Sequence, residues 1–263
     1  MNKFEMINVS IDTRGIARLT LDRPDVKNAM SQPLMRELAA AAKQLAEDES
    51  ARVIVLTGAG EVFSAGGDLK GMTQQTGNTR EGRIADATEF ATILRELDRL
   101  PKPLIGRING SAFGGALGLI SVCDIAIGLA DSTFRLSEVT LGLIPATISP
   151  YVVAKIGVPN ARRIVLNASK LDGVAAARLG LLDAVVHTVE DLDEAVEREV
   201  AAALLCALGA VANAKKLIRF VSTHDADENL AYTATALADA WETAEIREGI
   251  DAFFNKRKPN WQA

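Results

Sequence analysis

The chain is poor in the side chains that usually announce chemistry. It has two histidines, His187 and His224, and two cysteines, Cys123 and Cys206, in 263 residues. Neither histidine neighbours a serine or cysteine motif, and no GxSxG elbow occurs, which argues against a Ser-His-Asp hydrolase. No HExxH and no paired Cys/His cluster is present, so zinc is not indicated. Two cysteines make no disulfide framework; Cys123 in an apolar run and Cys206 in an alanine- and leucine-rich helix both read as small buried hydrophobes. Basic excess is also missing. The net charge is -5, which argues against nucleic-acid binding. The short cluster Lys256-Arg257-Lys258 reads as a solvated face. No uncharged apolar run reaches membrane-spanning length. The start MNKFEMINVS has no apolar signal core, so the cytoplasm is the expected compartment.

What is present is an ordinary globular composition, 48% hydrophobic and 24% charged. It is long enough for one sizeable core. Residues 4–11 and 15–21 read as strands around a turn at Asp12 to Gly15, followed by a polar loop to Asn28. Ser31 and Pro33 open a helix to about residue 48, with Leu34, Leu38, Ala42 and Leu45 on one face. VIVLTG, without alternation, reads as a strand covered on both faces. Gly66 to Asn78 reads as a mobile polar loop. A helix over 84–100 follows, ended by Pro101 and Pro103, then the strand LIGRI. NGSAFGGALGLISVC is a glycine-rich turn running into a small-residue helix, and DIAIGLA is another strand. This rhythm predicts an α/β core with parallel strands. A short helix from Asp172 is closed by Gly180, AVVHTV is a strand, and helices fill most of 191–256. The expected division is a core over 1–190 and a helical region over 191–263.

Two glycine-rich turns end buried strands: Ser64-Ala65-Gly66-Gly67-Asp68 and Phe113-Gly114-Gly115-Ala116. Neither has GxGxxG or GxxxxGK[ST] spacing, so a nucleotide fingerprint is absent. Bare backbone lets a ligand approach closely, and two amides from different turns could share one oxygen as an oxyanion hole. Tight turning and close packing would call for the same glycines. Glu138 stands in the apolar stretch FRLSEVTLGLIP. A desolvated carboxyl there gains a raised pKa useful for proton transfer; alternatively, Ser137 and Glu138 merely open a turn.

Taken together, LDRPDVKNAM, VIVLTGAGEVFSAGGDL, INGSAFGGALGLISVCDIAI, FRLSEVTLGLIP and FFNKRKPNW, in that order, resemble the crotonase (enoyl-CoA hydratase/isomerase) family over nearly the whole chain. The resemblance implies a crotonase-like spiral of ββα units with a C-terminal helical trimerisation region, assembled as a homotrimer or a dimer of trimers. It implies an acyl-CoA thioester as substrate, with coenzyme A entering as part of that substrate and no separate cofactor. By motif it places the oxyanion amides at Ala65 and Gly115 and the acid/base at Glu138. It lines the CoA site with Lys27, Ala65, Gly66, Gly67, Asp68, Leu69 and Gly115, and adds Phe253 and Lys256 acting on a neighbouring subunit. Well-known hydratases of the family carry two glutamates; here Gly118 stands where the first would be. One carboxylate suits either a hydratase or a Δ3–Δ2 isomerase, and loss of activity would leave a CoA-ester binder. GGALGL followed by LSEVTLGLIPATISPYVV is similar to the bacterial methylglutaconyl-CoA hydratases and the related isohexenylglutaconyl-CoA hydratases, which implies a branched enoyl substrate with a distal carboxylate. For the distal carboxylate of such substrates Lys70, Arg80 and Arg83 are the candidate partners.

Overall fold

The computed structural model describes residues 4–262, excluding the side chains of Leu69 and Met72. In chain order the first half comprises β1 (Ile7–Ile11), β2 (Ile16–Leu21), α1 (Gln32–Glu47), β3 (Val53–Gly58), α2 (Leu69–Gly77), α3 (Arg80–Asp98) and β4 (Leu104–Ile108). Next come β5 (Ala112–Phe113), α4 (Ala116–Ser121), β6 (Ile125–Leu129), β7 (Phe134–Arg135), α5 (Ser149–Val165), α6 (Gly173–Arg178) and β8 (Ala184–Val186). Four helices close the chain: α7 (Val189–Leu204), α8 (Leu208–Val221), α9 (Ala226–Trp241) and α10 (Ala244–Phe254).

Six strands form one sheet in the order β1-β2-β3-β4-β6-β8. Only the β1–β2 hairpin is antiparallel; the other pairs run parallel. A second, shorter ladder runs beside it. It consists of the β5–β7 pair with bridges Met30–Gly67, Ser64–Ala112 and Phe134–Leu171. Successive turns of chain thus add a long strand to the first sheet and a short extended stretch to the second ladder, which is the expected spiral.

The elements follow from local physics. In α1, Ser31 accepts a hydrogen bond from the Leu34 amide, Pro33 lies in the first turn, and Leu34, Leu38, Ala42 and Leu45 are buried along one face. Every residue of β3 is buried. One sheet face packs under α1, α3, α4 and α5, where the larger core gathers. The other face receives Leu192, Ala195, Val196 and Val200 of α7. The first helix of the expected helical region is therefore part of the sheet's own packing, and the segment beyond it is α8 to α10.

Five expectations are corrected. Residues 69–77, expected as a mobile loop, form the nine-residue α2, started by Asp68, whose carboxylate accepts from the Lys70 amide. Its weak apolar pattern hid it. Helix α3 begins at Arg80 rather than 84, because Thr79 caps it through the Gly82 amide. Cys206 is exposed, since α7 ends at Leu204 and the thiol falls in the turn beyond; Cys123 is buried as expected. The first strand also starts later, at Ile7, and β8 stops at Val186.

Candidate active site

The two glycine turns meet because their strands are neighbours in the second ladder. The Phe113 amide donates to the Ser64 carbonyl (3.1 Å) and the Ser64 amide to the Ser111 carbonyl (3.3 Å). Gly66 has φ +84°, and a Cβ there would run into the Phe113 carbonyl group, its carbon 3.0 Å away. Only glycine lets the two backbones come this close.

Of the first turn's amides, Ala65's is already used: it donates to the Lys27 carbonyl at 2.8 Å. The amide expected as an oxyanion donor is thus a structural tie between the turn and the Lys27 loop. The Gly66 amide donates to Ser64 Oγ (3.2 Å) and that of Asp68 to the Met30 carbonyl (3.2 Å). Among the described hydrogen bonds, no protein acceptor takes the Gly67 N–H. On the second turn the Gly115 N–H is likewise without a protein acceptor, while its carbonyl accepts from Gly118 (3.0 Å). Gly67 and Gly115 line one cleft of about 380 Å³, with Ala65, Gly114 and Glu138.

Glu138 reaches this cleft through β7. The Gly114 amide donates to the Arg135 carbonyl (2.9 Å), which sets the start of FRLSEVTL beside the second turn. Residues 138–141 then coil into a single 3-10 turn. Glu138 does open a turn, and its side chain nevertheless faces the cleft: Oε1 lies 3.2 Å from the Cβ position of Gly114, and Oε2 is buried without a partner. Burial pushes its carboxyl above the usual glutamate range; its own amide and that of Ser137 pull the other way and are outweighed. No other titratable side chain lines this cleft among the described residues. Met30, Phe90, Leu141, Ile144 and Ile148 make most of its remaining wall.

The rest of the expected set divides. Asp68 is structural: it caps α2 and pairs with Arg23 at 3.2 Å, while Arg23 also donates to the Ala29 carbonyl at 2.6 Å. Burial alone would raise the Asp68 carboxyl, but the Lys70 amide and the Arg23 guanidinium hold it below the usual range. Lys27 is exposed in a left-handed conformation beside the first turn. For Leu69 the backbone, in the first turn of α2, is described and the side chain lies outside the described set. Phe253 and Lys256, at the end of α10, are exposed and line neither this cleft nor the one that adjoins it. The adjoining cleft, about 890 Å³, shares Met30, Gly67 and Phe90 and lies among α1, α2 and α3. Lys70 lines it, whereas Arg80 is exposed and the Arg83 guanidinium is engaged by the Gln75 and Asn78 carbonyls.

Sequence reasoning missed Asn28. It is fully buried and left-handed, and its amide donates to the Ala59 and Val62 carbonyls, both at 2.8 Å. Its Oδ1 accepts from the Arg23 amide, so it ties the loop before α1 to the strand end that feeds the first glycine turn. The signal was an asparagine in a tight loop, the residue type most tolerant of φ > 0 after glycine.

Residues 12–263 match the family model described as enoyl-CoA hydratase/isomerase. The chain belongs to this family. It is 41% identical over 190 residues to an enoyl-CoA hydratase of Alternaria alternata, a match covering 71% of this chain and 60% of that protein's length. It is 30% identical over 258 residues to the short-chain-enoyl-CoA hydratase of Clostridium acetobutylicum, covering 97% of each. Among solved structures, an enoyl-CoA hydratase from Shewanella pealeana superposes with a TM-score of 0.94 at 36% identity, covering 98% of this chain and 97% of that one. The spiral is thus a family member's architecture.

Proposed function

We propose that this family member is an acyl-CoA hydratase, adding water across the 2,3 double bond of an enoyl-CoA. The observation that carries the reading is the meeting of two unused amides, Gly67 and Gly115, with a half-buried carboxylate whose Oε2 has no protein partner, in one cleft. In this reading the thioester oxygen lies between the two N–H groups. Ionised Glu138 takes a proton from water as the water oxygen bonds to Cβ. The double-bond electrons move toward the thioester, and the negative charge on its oxygen is held by the amides. Protonated Glu138 then returns the proton to Cα. A raised carboxyl pKa brings the acid and base forms closer in energy near neutral pH.

A second reading is favoured by one observation: Glu138 is the only titratable group on the cleft wall among the described residues. One carboxylate suffices to move a proton between two carbons, which would make the chain an enoyl-CoA isomerase. Incubation with a 2-enoyl-CoA and with a 3-enoyl-CoA in heavy-oxygen water separates the readings. Hydration predicts heavy oxygen in the 3-hydroxyacyl product. A double-bond shift without heavy oxygen supports the isomerase. Binding without product leaves a non-catalytic CoA-ester binder.

The narrower substrate reading is a branched acyl chain ending in a carboxylate, of methylglutaconyl type. Its support is Lys70 on the wall of the adjoining cleft. Activity across a thioester panel that includes this type checks it. Lys27, exposed beside the first turn, suits the CoA phosphates. Assembly as a homotrimer or a dimer of trimers is supported by apolar side chains exposed on α8 to α10: Ile218, Leu230, Leu237, Trp241, Phe253 and Phe254. Native mass spectrometry is expected to show three or six copies; a monomer would contradict this.

A further inference from the structure

Part of the cleft wall is hydrocarbon because Ile148 fills a notch in α4. A Cβ built on Gly118 would lie 2.9 Å from Ile148 Cβ, closer still to its Cγ2, and 3.5 Å from Leu94 Cδ1. No side chain fits at 118 while Ile148 stays in place. Ile148 is 1% exposed and Leu94 is fully buried. Ile148 also lines the cleft that holds Glu138, Gly67 and Gly115. One side of this isoleucine is therefore packed into the helix that starts at the second glycine turn, and another side bounds the reaction space.

An ordered water needs two to four polar partners and room to sit. In the cleft, Glu138 Oε2 lacks a protein partner and can hold one. The Ile148 side chain has no polar atom to hold a second. We propose that Ile148, seated against Gly118, is a specificity-determining residue that keeps this wall dry and thereby sets the relative rates of two reactions at one site: water addition to Cβ of a 2-enoyl thioester, and proton transfer from Cα to Cγ of a 3-enoyl thioester. This rests on the reading of the cleft as an enoyl-thioester site. Ser137 and Thr147 also line the cleft and can hold water near Glu138; the residue at 148 decides whether water is held on the Gly118 side as well, where it would favour addition to Cβ.

The test compares Ile148→Thr with Ile148→Val. The two replacements have nearly the same shape and differ by one hydroxyl against one methyl, so both give up the same packing. The readout is the ratio of two initial rates, hydration of a 2-enoyl-CoA and isomerisation of a 3-enoyl-CoA, measured on the intact protein. The Thr variant is expected to raise this ratio several-fold over the Val variant, about tenfold at most for one added hydrogen bond to water. The Val variant should keep the parental ratio. Equal ratios in Thr and Val, with the parent active, overturn the role of Ile148 while leaving the cleft reading intact. A parent that turns over neither thioester overturns both.

Discussion

Exchange of Glu138 for glutamine is expected to lower kcat by about 10²–10⁴-fold, the usual share of a positioned acid/base, while a CoA thioester still binds as it does to the parent. Glutamine fills the same space and keeps the same reach, but it cannot take a proton from water or return one to carbon. The parent's rate should fall on acidification with an apparent pKa above the ordinary carboxylate range, because the ionised form starts the reaction and burial raises its pKa. Stability gives an independent check. The folded chain holds the Glu138 proton more tightly than the unfolded chain, so this contribution is fully present below the unfolded pKa and is lost as pH rises through the folded pKa. Glutamine does not titrate. Thermal melts should therefore show the variant matching or exceeding the parent at neutral pH. The margin should vanish as pH drops below about 4.3, the ordinary glutamate value. A carboxylate held for stability by a salt bridge would show the opposite: a loss of Tm at neutral pH on exchange. Parental turnover in the variant would remove Glu138 from the mechanism.

Removal of the Gly67 or the Gly115 N–H, by replacing the preceding peptide link with an ester, should cost about 10²–10³-fold in kcat each, or about 2.7–4 kcal/mol of transition-state stabilisation. An ester keeps the backbone shape and deletes the donor; it also weakens the preceding carbonyl as an acceptor, equally at all three positions, where Gly66, Gly114 and Ser64 accept from Met30, Leu117 and Phe113, so the comparison with Ala65 isolates the donor's effect on kcat. The same replacement at Ala65 should act elsewhere. Its N–H is committed to the Lys27 carbonyl, so the loss should appear as about 0.5–1.5 kcal/mol of folding stability, with kcat near the parental value. Semisynthetic proteins, read by steady-state kinetics and by chemical denaturation, separate the three positions. Loss of turnover at Ala65 with turnover kept at Gly67 would reverse the assignment of the donors.

Much of this architecture was legible because it is written locally. Ser31, Pro33 and the spacing of Leu34, Leu38, Ala42 and Leu45 announce α1, and VIVLTG announces a strand buried on both faces. Both glycine turns and Glu138 stand out because each breaks an apolar context. What sequence did not show depends on partners far along the chain. Which amide of SAGGD is unused is decided by the Lys27 carbonyl, which takes Ala65 out of play and leaves Gly67. What occupies the space beside Gly118 is decided by Ile148, thirty residues on and at the start of another helix. Helix α2 went unread because LKGMTQQTG lacks an apolar stripe and contains two glycines; the Asp68 cap and the hydrogen bonds of Gln75 and Asn78 to Asp86 on α3 hold it instead. Cys206 is exposed, against its apolar local composition, because the end of α7 fixes its surroundings.

Two backbone donors and one acid are expected to act on a single thioester. The most direct measurement is a structure of the Glu138→Gln protein with an enoyl-CoA bound. The thioester oxygen is expected about 2.7–3.1 Å from both the Gly67 and Gly115 nitrogens, with the side chain at 138 facing the Cα–Cβ bond. A thioester oxygen turned to solvent, or acyl carbons out of reach of residue 138, would contradict the account.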